Sequence, residues 1–295
     1  MNFSAEQKAR LDHLGDVTYY DEVAATPDEW LARCKGADAV CSGITGLRDA
    51  YGSLKDIFIS VPFVGVGSFA DPAVLKANNI TLCNSPGCNR HAVSEWITFM
   101  IIETMRRQAH YVNTTEPPTT PWPVSTTGLA GRNITILGKG NIGTRVGAIC
   151  EALEMHVTYF TRGDSLAETV KDADVVVDAL TANPTTKNLL GKDFFAALKP
   201  GAIFISVTVD SIVDIDAMLA ALDSGKLTAV AHDVMNAKPG DVSDPLYMRL
   251  QQHPNVLATP HISGFSDVSS RIGNDMMIEN VEAWLAGKPI HVFGA

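Results

Sequence analysis

A glycine-rich turn constrains the fold of this chain more than any other feature. An apolar run, residues 134–137, leads directly into Gly138, Gly140 and Gly143, which are spaced as G-x-G-x-x-G, and an amphipathic stretch follows. Gly138 permits a tight turn, Gly140 lets the backbone approach a pyrophosphate, and Gly143 lets the next helix lie close to the strand. This context predicts a strand, turn and helix that bind a dinucleotide. A glycine turn without a ligand is the alternative.

The turn belongs to a longer series in which β-rich runs alternate with helical patterns, which is typical of an α/β protein. Six strands are predicted, at Asn133–Leu137, His156–Phe160, Asp174–Leu180, Ala202–Val207, Ala229–Val234 and Val256–Ala258. Helices are predicted between them, at Ile142–Leu153, Leu166–Lys171, Lys192–Leu198 and Ile215–Leu222. This alternation indicates a doubly wound parallel sheet, the Rossmann arrangement that binds dinucleotides.

The N-terminal third carries a weaker series of the same kind and predicts a first, smaller α/β domain. Its predicted strands are Val17–Tyr20, Ala39–Cys41, Ile57–Val61 and Ile80–Cys83, and its helices include Ser4–Leu14 and Pro27–Cys34. A long helix, roughly Val268–Ala286, is predicted near the C-terminus.

The predicted dinucleotide site also indicates a choice of cofactor. The phosphates are expected on the first amides of the helix, at Asn141 and Ile142. An acidic residue after the second strand of such a fold binds the adenine ribose of NAD. Here Phe160 is followed by Thr161 and Arg162. A guanidinium can pair with a 2′-phosphate, so the sequence favours NADP over NAD. Arg162 as a solvated loop residue is the alternative.

Composition excludes several classes of protein. With 46% hydrophobic and 19% charged residues, the chain is neither disordered nor fibrous. Its formal net charge of −10 disfavours a nucleic-acid or anionic-membrane footprint, so a small molecule is the expected partner. No stretch approaches the about 20 apolar residues of a membrane span, and no signal-peptide pattern is present. Its five cysteines lack zinc-site spacing. We expect a cytoplasmic protein with reduced thiols and no metal site.

Several segments beyond the glycine motif are distinctive, namely Gly65-Val66-Gly67, Asn84-Ser85-Pro86-Gly87, Ala92-Val93-Ser94-Glu95, Leu198-Lys199-Pro200-Gly201-Ala202, His232-Asp233-Val234 and Asn255-Val256-Leu257-Ala258-Thr259-Pro260-His261-Ile262. Together with the glycine motif they resemble the D-isomer-specific 2-hydroxyacid dehydrogenase family, which includes glyoxylate/hydroxypyruvate reductases. The resemblance covers nearly the whole chain. It implies a smaller, flavodoxin-like substrate domain formed by residues 1–92 and 266–295, and a central dinucleotide-binding domain of residues 93–265.

The resemblance also implies roles for individual residues. The backbone amides of Val66 and Gly67 would bind a substrate carboxylate, and Asp233 would contact the nicotinamide carboxamide. His261 would be the catalytic acid/base. Hydride transfer to a carbonyl leaves an alkoxide, so an imidazolium that delivers a proton is chemically needed. A structural histidine after a buried strand is the alternative for His261.

Two positions depart from the family pattern. The family's Arg, which polarises a 2-oxo acid, lies in an Asn-x-x-Arg-Gly segment that here has Val209 at the Arg position. The family's Glu, which orients the histidine, lies in a Glu-Pro step that here begins with Lys238. An ammonium at Lys238 would disfavour protonated His261 if the two lay close. Groups that could substitute, each more often structural or solvated, are Asp210, His232, Asp241, Asp244, Arg90 and Arg271.

Two main functional hypotheses follow, and a different reaction that uses bound NADP as a transient oxidant is a third reading. The first is an NADP-dependent oxidoreductase that reduces a carbonyl or related unsaturated group of a small, atypical substrate, with His261 as proton donor. The second is a protein that binds NADP for regulation or partner binding, with little turnover. We also expect a homodimer built through the coenzyme domain, because the helix from Ser94 and the Pro-rich arm after it carry apolar residues, namely Trp96, Met100, Trp122 and Pro123.

Overall fold

The structure is a computed structural model in which residues 3–107 and 126–294 are described. The chain divides into two compact units, one of residues Met1–Asn89 with Phe265–Ala295 and one of residues Arg90–Gly264. Each unit contains a parallel sheet with helices, so the predicted α/β class is confirmed. Which unit binds a substrate and which binds a cofactor stays a prediction.

The first unit is built around a three-stranded parallel sheet in the order β1-β2-β3. Its elements in chain order are α1 (Ala5–Asp12), α2 (Pro27–Cys34), β1 (Ala39–Cys41), α3 (Leu47–Ala50), β2 (Ile57–Ser60), α4 (Pro72–Ala77) and β3 (Ile80–Cys83), and the C-terminal helix Asp267–Leu285 joins them. The central strand β2 is buried at all four positions. Several helix starts of this unit are capped by side chains. For example, Ser4 and Gln7 form a capping box at α1.

The strand predicted at Val17–Tyr20 does not form, so the small sheet has three strands instead of four. Aromatic residues favour strands only where they pack on a sheet surface. Here the Tyr19 hydroxyl donates to the carbonyl of Lys8 and to Asp12. The Tyr20 ring lies 4.7 Å from the Arg33 guanidinium carbon. Contacts with α1 and α2 therefore replace strand pairing.

The second unit is a six-stranded parallel sheet in the order β5-β4-β6-β7-β8-β9. Its elements are α5 (Arg90–Arg106), β4 (Asn133–Leu137), α6 (Asn141–Ala152), β5 (His156–Phe160), α7 (Leu166–Val170), β6 (Val175–Asp178), α8 (Lys192–Ala197), β7 (Ala202–Ser206), α9 (Ile215–Asp223), β8 (Leu227–Asp233), α10 (Pro245–Gln251) and β9 (Val256–Thr259). All six predicted strands are present. The strand order reverses between β4 and β6, and ligands of such sheets bind beyond the carboxyl ends of the strands at that point. We call this side of the sheet the carboxyl edge.

Helix α5 turns one apolar face to the core. Met100 is 6% exposed and Trp96 packs against the same cluster of buried residues. Trp96 and Met100 were expected to need a partner subunit to cover them, and this expectation is wrong because helical spacing places both on the covered face. Phe99 and Ile102 are exposed instead, at 59% and 39%. Trp122 and Pro123 lie outside the described residues.

The five cysteines are all free thiols. Burial raises the pKa of Cys34 to about 11 and that of Cys41 to about 12, so these thiols are unreactive at neutral pH. Within residues 3–107 and 126–294, no helix has the length and apolar character needed to cross a membrane. Over the same residues, no group of three or more His, Cys, Asp or Glu side chains could hold a metal ion.

Candidate functional site

The glycine turn between β4 and α6 has two glycines that the fold requires and one that it does not. A Cβ added at Gly138, whose φ is +100°, would lie 2.9 Å from the carbonyl oxygen of Ala179. A Cβ at Gly143 would lie 2.1 Å from the carbonyl oxygen of Gly138. At Gly140 nothing lies within 4 Å of that position. Packing therefore explains Gly138 and Gly143, whereas Gly140 borders open space.

The open space lies at the start of α6. Gly140 is the N-cap of this helix, and no side chain caps it. The amide of Thr144 donates to the Gly140 carbonyl at 3.0 Å, so the amides of Asn141 and Ile142 precede the first backbone hydrogen bond of the helix. An uncapped helix start beside a glycine is suited to bind phosphate. These residues fit the diphosphate of a dinucleotide, and their role in binding it stays a prediction.

The end of β5 contains a carboxylate that sequence reasoning missed. Asp164 Oδ2 accepts hydrogen bonds from the amide and the hydroxyl of Thr161, at 2.7 and 2.8 Å. These two bonds lower the pKa of Asp164. Thr161 and Arg162 are both exposed. The hydroxyl of Thr161 is thus occupied by its own loop, and the signal that could have shown this is the acid three residues beyond the strand.

A second cation stands beside β5. Lys139, within the glycine motif, places its Nζ 4.8 Å from the centre of the Tyr159 ring. Tyr159 lies on β5, one residue before the strand ends. A lysine over an aromatic face is held by a cation–π interaction. Sequence reasoning treated this position only as a spacer of the motif, although its charge was the available signal.

His261 follows β9 and is held by backbone contacts. Its φ is 55°, in the left-handed region, and its ring Nδ1 lies 3.0 Å from the carbonyl oxygen of Ala237. A carbonyl can only accept, so Nδ1 carries a hydrogen and, in the neutral ring, Nε2 is the nitrogen that gains and loses a proton. The carbonyl of Ala237, one residue before Lys238, therefore orients the His261 ring. No side-chain pattern could have shown this.

Asp233 at the end of β8 organises the loop that carries His261. Its Oδ1 accepts from the Thr259 hydroxyl at 2.6 Å and from the Ile262 amide at 3.0 Å, and its Oδ2 accepts from the Ser263 amide at 2.9 Å. The side chain is fully buried. Asp233 therefore holds the chain on both sides of His261. Its predicted contact with a carboxamide stays a prediction.

The other groups proposed as substitutes are mostly structural. The Ser243 hydroxyl and amide, and more weakly Lys238, lower the pKa of Asp241. Asp244 caps α10 through the amides of Leu246 and Tyr247. Lys238, Arg90 and Arg271 are exposed.

In the first unit, the amide of Val66 donates to the Val64 carbonyl at 3.0 Å, so anion binding at the Val66 and Gly67 turn rests on the Gly67 amide and stays a prediction.

Val209, at the position of the family's Arg, packs against the apolar core. The residues on either side of it are held by carboxylate contacts. The Thr208 hydroxyl donates to Asp178 at 2.5 Å, and His232 Nε2 donates to Asp210 at 3.2 Å. This segment therefore presents no cation to the carboxyl edge, and it is held in place from both sides.

Asp178 and His232 belong to one polar row across the sheet. Asp178 on β6 is in register with Ser206 on β7, which is in register with His232 on β8. All three are fully buried, and the Ser206 hydroxyl donates to Asp178 at 3.2 Å. Burial raises the pKa of Asp178 to about 6. Sequence reasoning missed Asp178, although an acid ending a run of valines was a visible signal.

The carboxyl edge therefore has two parts of opposite charge. We call the ends of β4 and β5, with Lys139 and Arg162, the cationic half. We call the ends of β6, β7 and β8, with Asp178, Asp210 and Asp233, the acidic half. His232 lies within the acidic half, and His261 follows the adjacent strand β9.

Comparison with known proteins decides the family. Residues 98–263 match the model of the family described as "D-isomer specific 2-hydroxyacid dehydrogenase, NAD binding domain". The chain is a member of this family. As a D-isomer specific 2-hydroxyacid dehydrogenase family member it has, in its central unit, the family's NAD-binding domain, and the resemblance stated from the sequence is confirmed.

Individual relatives agree with the assignment. D-3-phosphoglycerate dehydrogenase of Haemophilus influenzae is 32% identical over 242 residues, which are 74% of this chain but only 58% of that enzyme. Glycerate dehydrogenase of Methylorubrum extorquens is 29% identical over 286 residues, which are 92% of this chain and 90% of that enzyme. A D-lactate dehydrogenase structure from Treponema pallidum, 20% identical, aligns over 99% of this chain and 98% of its own with a TM-score of 0.82, which shows the shared fold.

Proposed function

We propose that this 2-hydroxyacid dehydrogenase family member is an NADP-dependent oxidoreductase that reduces a carbonyl or related unsaturated group of a small, atypical substrate. The observation that carries the proposal is the carboxyl edge of the second unit. It joins an uncapped helix start beside Gly140 to a histidine whose ring is oriented by Ala237. The first feature suits a dinucleotide, and the second suits proton transfer.

The chain's own residues account for the proton and the geometry. When bound, a reduced nicotinamide supplies a hydride to the substrate carbon. His261 donates the proton from Nε2, while Nδ1 stays hydrogen-bonded to the Ala237 carbonyl. Asp233 holds the amides of Ile262 and Ser263, so the loop keeps the ring in place through the reaction. A positioned acid of this kind contributes about 10² to 10⁴ in rate.

The preference for NADP rests on charge near β5. Arg162 is exposed beside the strand end, and Lys139 lies over Tyr159 on the same strand. Both can pair with a 2′-phosphate. The Asp164 carboxylate would repel that phosphate, but it already accepts two hydrogen bonds from Thr161. Because this part of the chain carries two exposed cations and one carboxylate that is already hydrogen-bonded, we propose that NADPH binds more tightly than NADH.

Titration of the purified protein with each cofactor, followed by its tryptophan fluorescence, tests the binding. Oxidation of NADPH, followed by absorbance, is then measured with oxo acids, aldehydes, ketones and imines. We expect tighter binding of NADPH and turnover of at least one class. Absence of binding by either cofactor would refute the oxidoreductase proposal, and equal affinities would refute only the NADP preference.

A binding protein with little turnover is the second candidate. The observation that favours it is Val209, which packs into the core where a family enzyme has a substrate-polarising Arg. Tight NADPH binding without oxidation by any compound of the panel would support this reading. A measurable turnover rate with the His261-dependent behaviour described below would exclude it.

We also propose a homodimer formed through α5. The support is now the exposed pair Phe99 and Ile102, which lie one turn apart on the helix face away from the core. Light scattering at micromolar concentration is expected to give twice the chain mass, and Phe99→Asp should give the mass of one chain.

The free thiols are also consistent with the reducing cytoplasm, which is the location we propose.

A further inference from the structure

The acidic half of the carboxyl edge is unusual in its lack of a compensating basic side chain. Within residues 3–107 and 126–294, neither Asp178 nor Asp210 has a Lys or Arg nitrogen within 4.0 Å. Their charged neighbour is His232, which donates to Asp210. Burial raises the pKa of Asp178 to about 6. The region therefore brings together two carboxyl groups and one imidazole, with no Lys or Arg partner among the described residues.

The cluster also contains a polar atom without a partner. His232 is fully buried, and its Nδ1 has no hydrogen bond, while its Nε2 holds Asp210. A buried nitrogen in that state costs free energy, so the arrangement calls for an explanation. The His232 ring holds the Asp210 carboxylate in place through the hydrogen bond from Nε2. The Asp210 side chain is 11% exposed, whereas Asp178 and Asp233 are fully buried. Asp210 is therefore the carboxylate of the acidic half that a ligand can reach.

This geometry points to the charge of the substrate. An alkoxide that develops beside a carboxylate is repelled by it, whereas a cationic nitrogen is attracted. An imine accepts hydride readily only when protonated, and a nearby carboxylate favours the protonated form. We propose that the acidic half binds a cationic nitrogen through Asp210, and that the substrates of this enzyme are protonated imines. This inference rests on the oxidoreductase function proposed above and names its substrate class.

The reaction balances with the reductant already proposed. Hydride from NADPH forms a bond to the imine carbon, and the π electron pair of the C=N bond moves to nitrogen. The cofactor leaves as NADP⁺ and the substrate becomes an amine. The nitrogen lone pair then takes a proton, which His261 can deliver from Nε2. Asp210 is a binding residue in this scheme because it pairs with the nitrogen and gives up no proton.

Three small molecules of similar shape and different charge test the inference by binding alone. Alaninamide at pH 6.5 is a cation because α-amino groups have pKa values of about 7.7 to 8.0. Lactamide is neutral and lactate is an anion. Calorimetric titration of the full chain saturated with NADP⁺ is expected to show alaninamide binding at least about tenfold more tightly than lactamide, with lactate weakest. Tightest binding of lactate, or equal binding of all three, would overturn the proposal.

Variants locate the effect at Asp210. Asp210→Asn should reduce alaninamide affinity at least about tenfold and leave lactamide unchanged, and Asp210→Glu should recover part of the loss. The matched control is Asp216→Asn, which removes an exposed acid that pairs with Arg249 on the same unit. Equal losses in both Asn variants would overturn the assignment to Asp210. If Asp210→Asn does not fold, the order of the three ligands on the unmodified chain still decides.

Turnover separates this inference from the proposed function. Pyruvate alone and pyruvate with methylamine, which together form an imine, are compared at equal NADPH, and N-methylalanine is identified by mass spectrometry. We expect the rate with methylamine to exceed the rate without it at least about tenfold. Equal or faster reduction of pyruvate alone would refute the imine class but keep the oxidoreductase. Bound NADPH without imine reduction would refute the imine class as well, and failure to bind either cofactor would refute the proposed function itself.

Discussion

The two halves of the carboxyl edge lie on one sheet but differ in charge and in how their charges are held. In the cationic half, Arg162 and Lys139 are exposed, and the Lys139 Nζ lies over the face of the Tyr159 ring. In the acidic half, Asp178 and Asp233 are fully buried and each accepts at least three hydrogen bonds. Exposed cations are suited to bind a hydrated phosphate. Buried carboxylates that accept several hydrogen bonds instead fix the positions of the groups around them.

This difference agrees with the proposed roles of the two halves, which are cofactor binding in the cationic half and substrate binding in the acidic half. Binding of a charged, flexible cofactor tolerates mobile side chains, because each ion pair is screened and individually weak. Proton transfer and substrate orientation require positions that do not shift, which preorganised hydrogen bonds supply. We therefore expect changes in the cationic half to alter affinity for the cofactor. Changes in the acidic half and at His261 should alter turnover, substrate binding and stability.

The largest effect is expected at His261, and it should separate the halves cleanly. His261→Gln removes the proton donor, so turnover should fall by about 10² to 10⁴. The NADPH dissociation constant should change less than about threefold, because His261 lies beyond β9 and the phosphates are expected at α6. The measurements are steady-state kinetics and fluorescence titration. His253→Gln, which removes a histidine paired with Asp223, is the control. Full activity of His261→Gln would show that another group donates the proton.

The next largest effect is expected at Gly140, within the cationic half. Its φ of −85° and ψ of −165° are open to any residue, and a Cβ there meets nothing within 4 Å. Gly140→Val should therefore keep the melting temperature within about 2 °C while it blocks a pyrophosphate and weakens NADPH binding about 30-fold or more. Gly128→Val, at another open position, should change neither quantity. Unchanged NADPH affinity in Gly140→Val would remove the glycine turn from the cofactor site.

The strands and the glycine motif were more predictable from sequence than the side-chain contacts at the carboxyl edge. Strands of a parallel sheet covered on both faces appear as apolar runs, which is why strands such as β6 and β7 could be predicted. The glycine motif has a fixed spacing because Gly138 and Gly143 are required by packing. The run Val17–Tyr20 has the same strand-like composition, but its aromatic rings contact helices, which composition does not reveal.

The contacts of the acidic half depend on tertiary structure. The orienting partner of His261 is the main-chain carbonyl of Ala237. Every residue has such a carbonyl, so the residue type does not reveal this contact. Asp178, Ser206 and His232 are separated by more than 20 residues at each step, and only strand register places them in a row. Asp164 was within reach of sequence reasoning, because it stands three residues after Thr161, but its hydrogen bonds depend on the shape of the loop.

A smaller effect is expected from the charged side chains near the end of β5. Arg162→Ala should weaken NADPH about tenfold and leave NADH nearly unchanged, because the ribose of NADH carries no phosphate for the guanidinium. Asp164→Asn should strengthen NADPH about two- to threefold through removal of a like charge. Titrations at 50 and 300 mM salt are the check, since both effects should shrink as salt rises. Equal weakening of both cofactors in Arg162→Ala would show that Arg162 does not read the phosphate. Arg249→Ala, which removes an exposed arginine of another pair, is the control.

The smallest effect is expected on stability, at Asp178 in the acidic half. Its folded pKa of about 6 lies above the unfolded value of about 3.9. Stability from this group is therefore complete below about pH 4 and is lost as the pH rises through about 6, because folding then buries a charge. Asp178→Asn removes that cost and should raise the free energy of unfolding at pH 7.5 by about 1 kcal/mol, with the gain disappearing near pH 4. Urea unfolding at both pH values measures this. A loss of stability at pH 7.5 would show that the Ser206 and Thr208 hydroxyls outweigh burial of the charge.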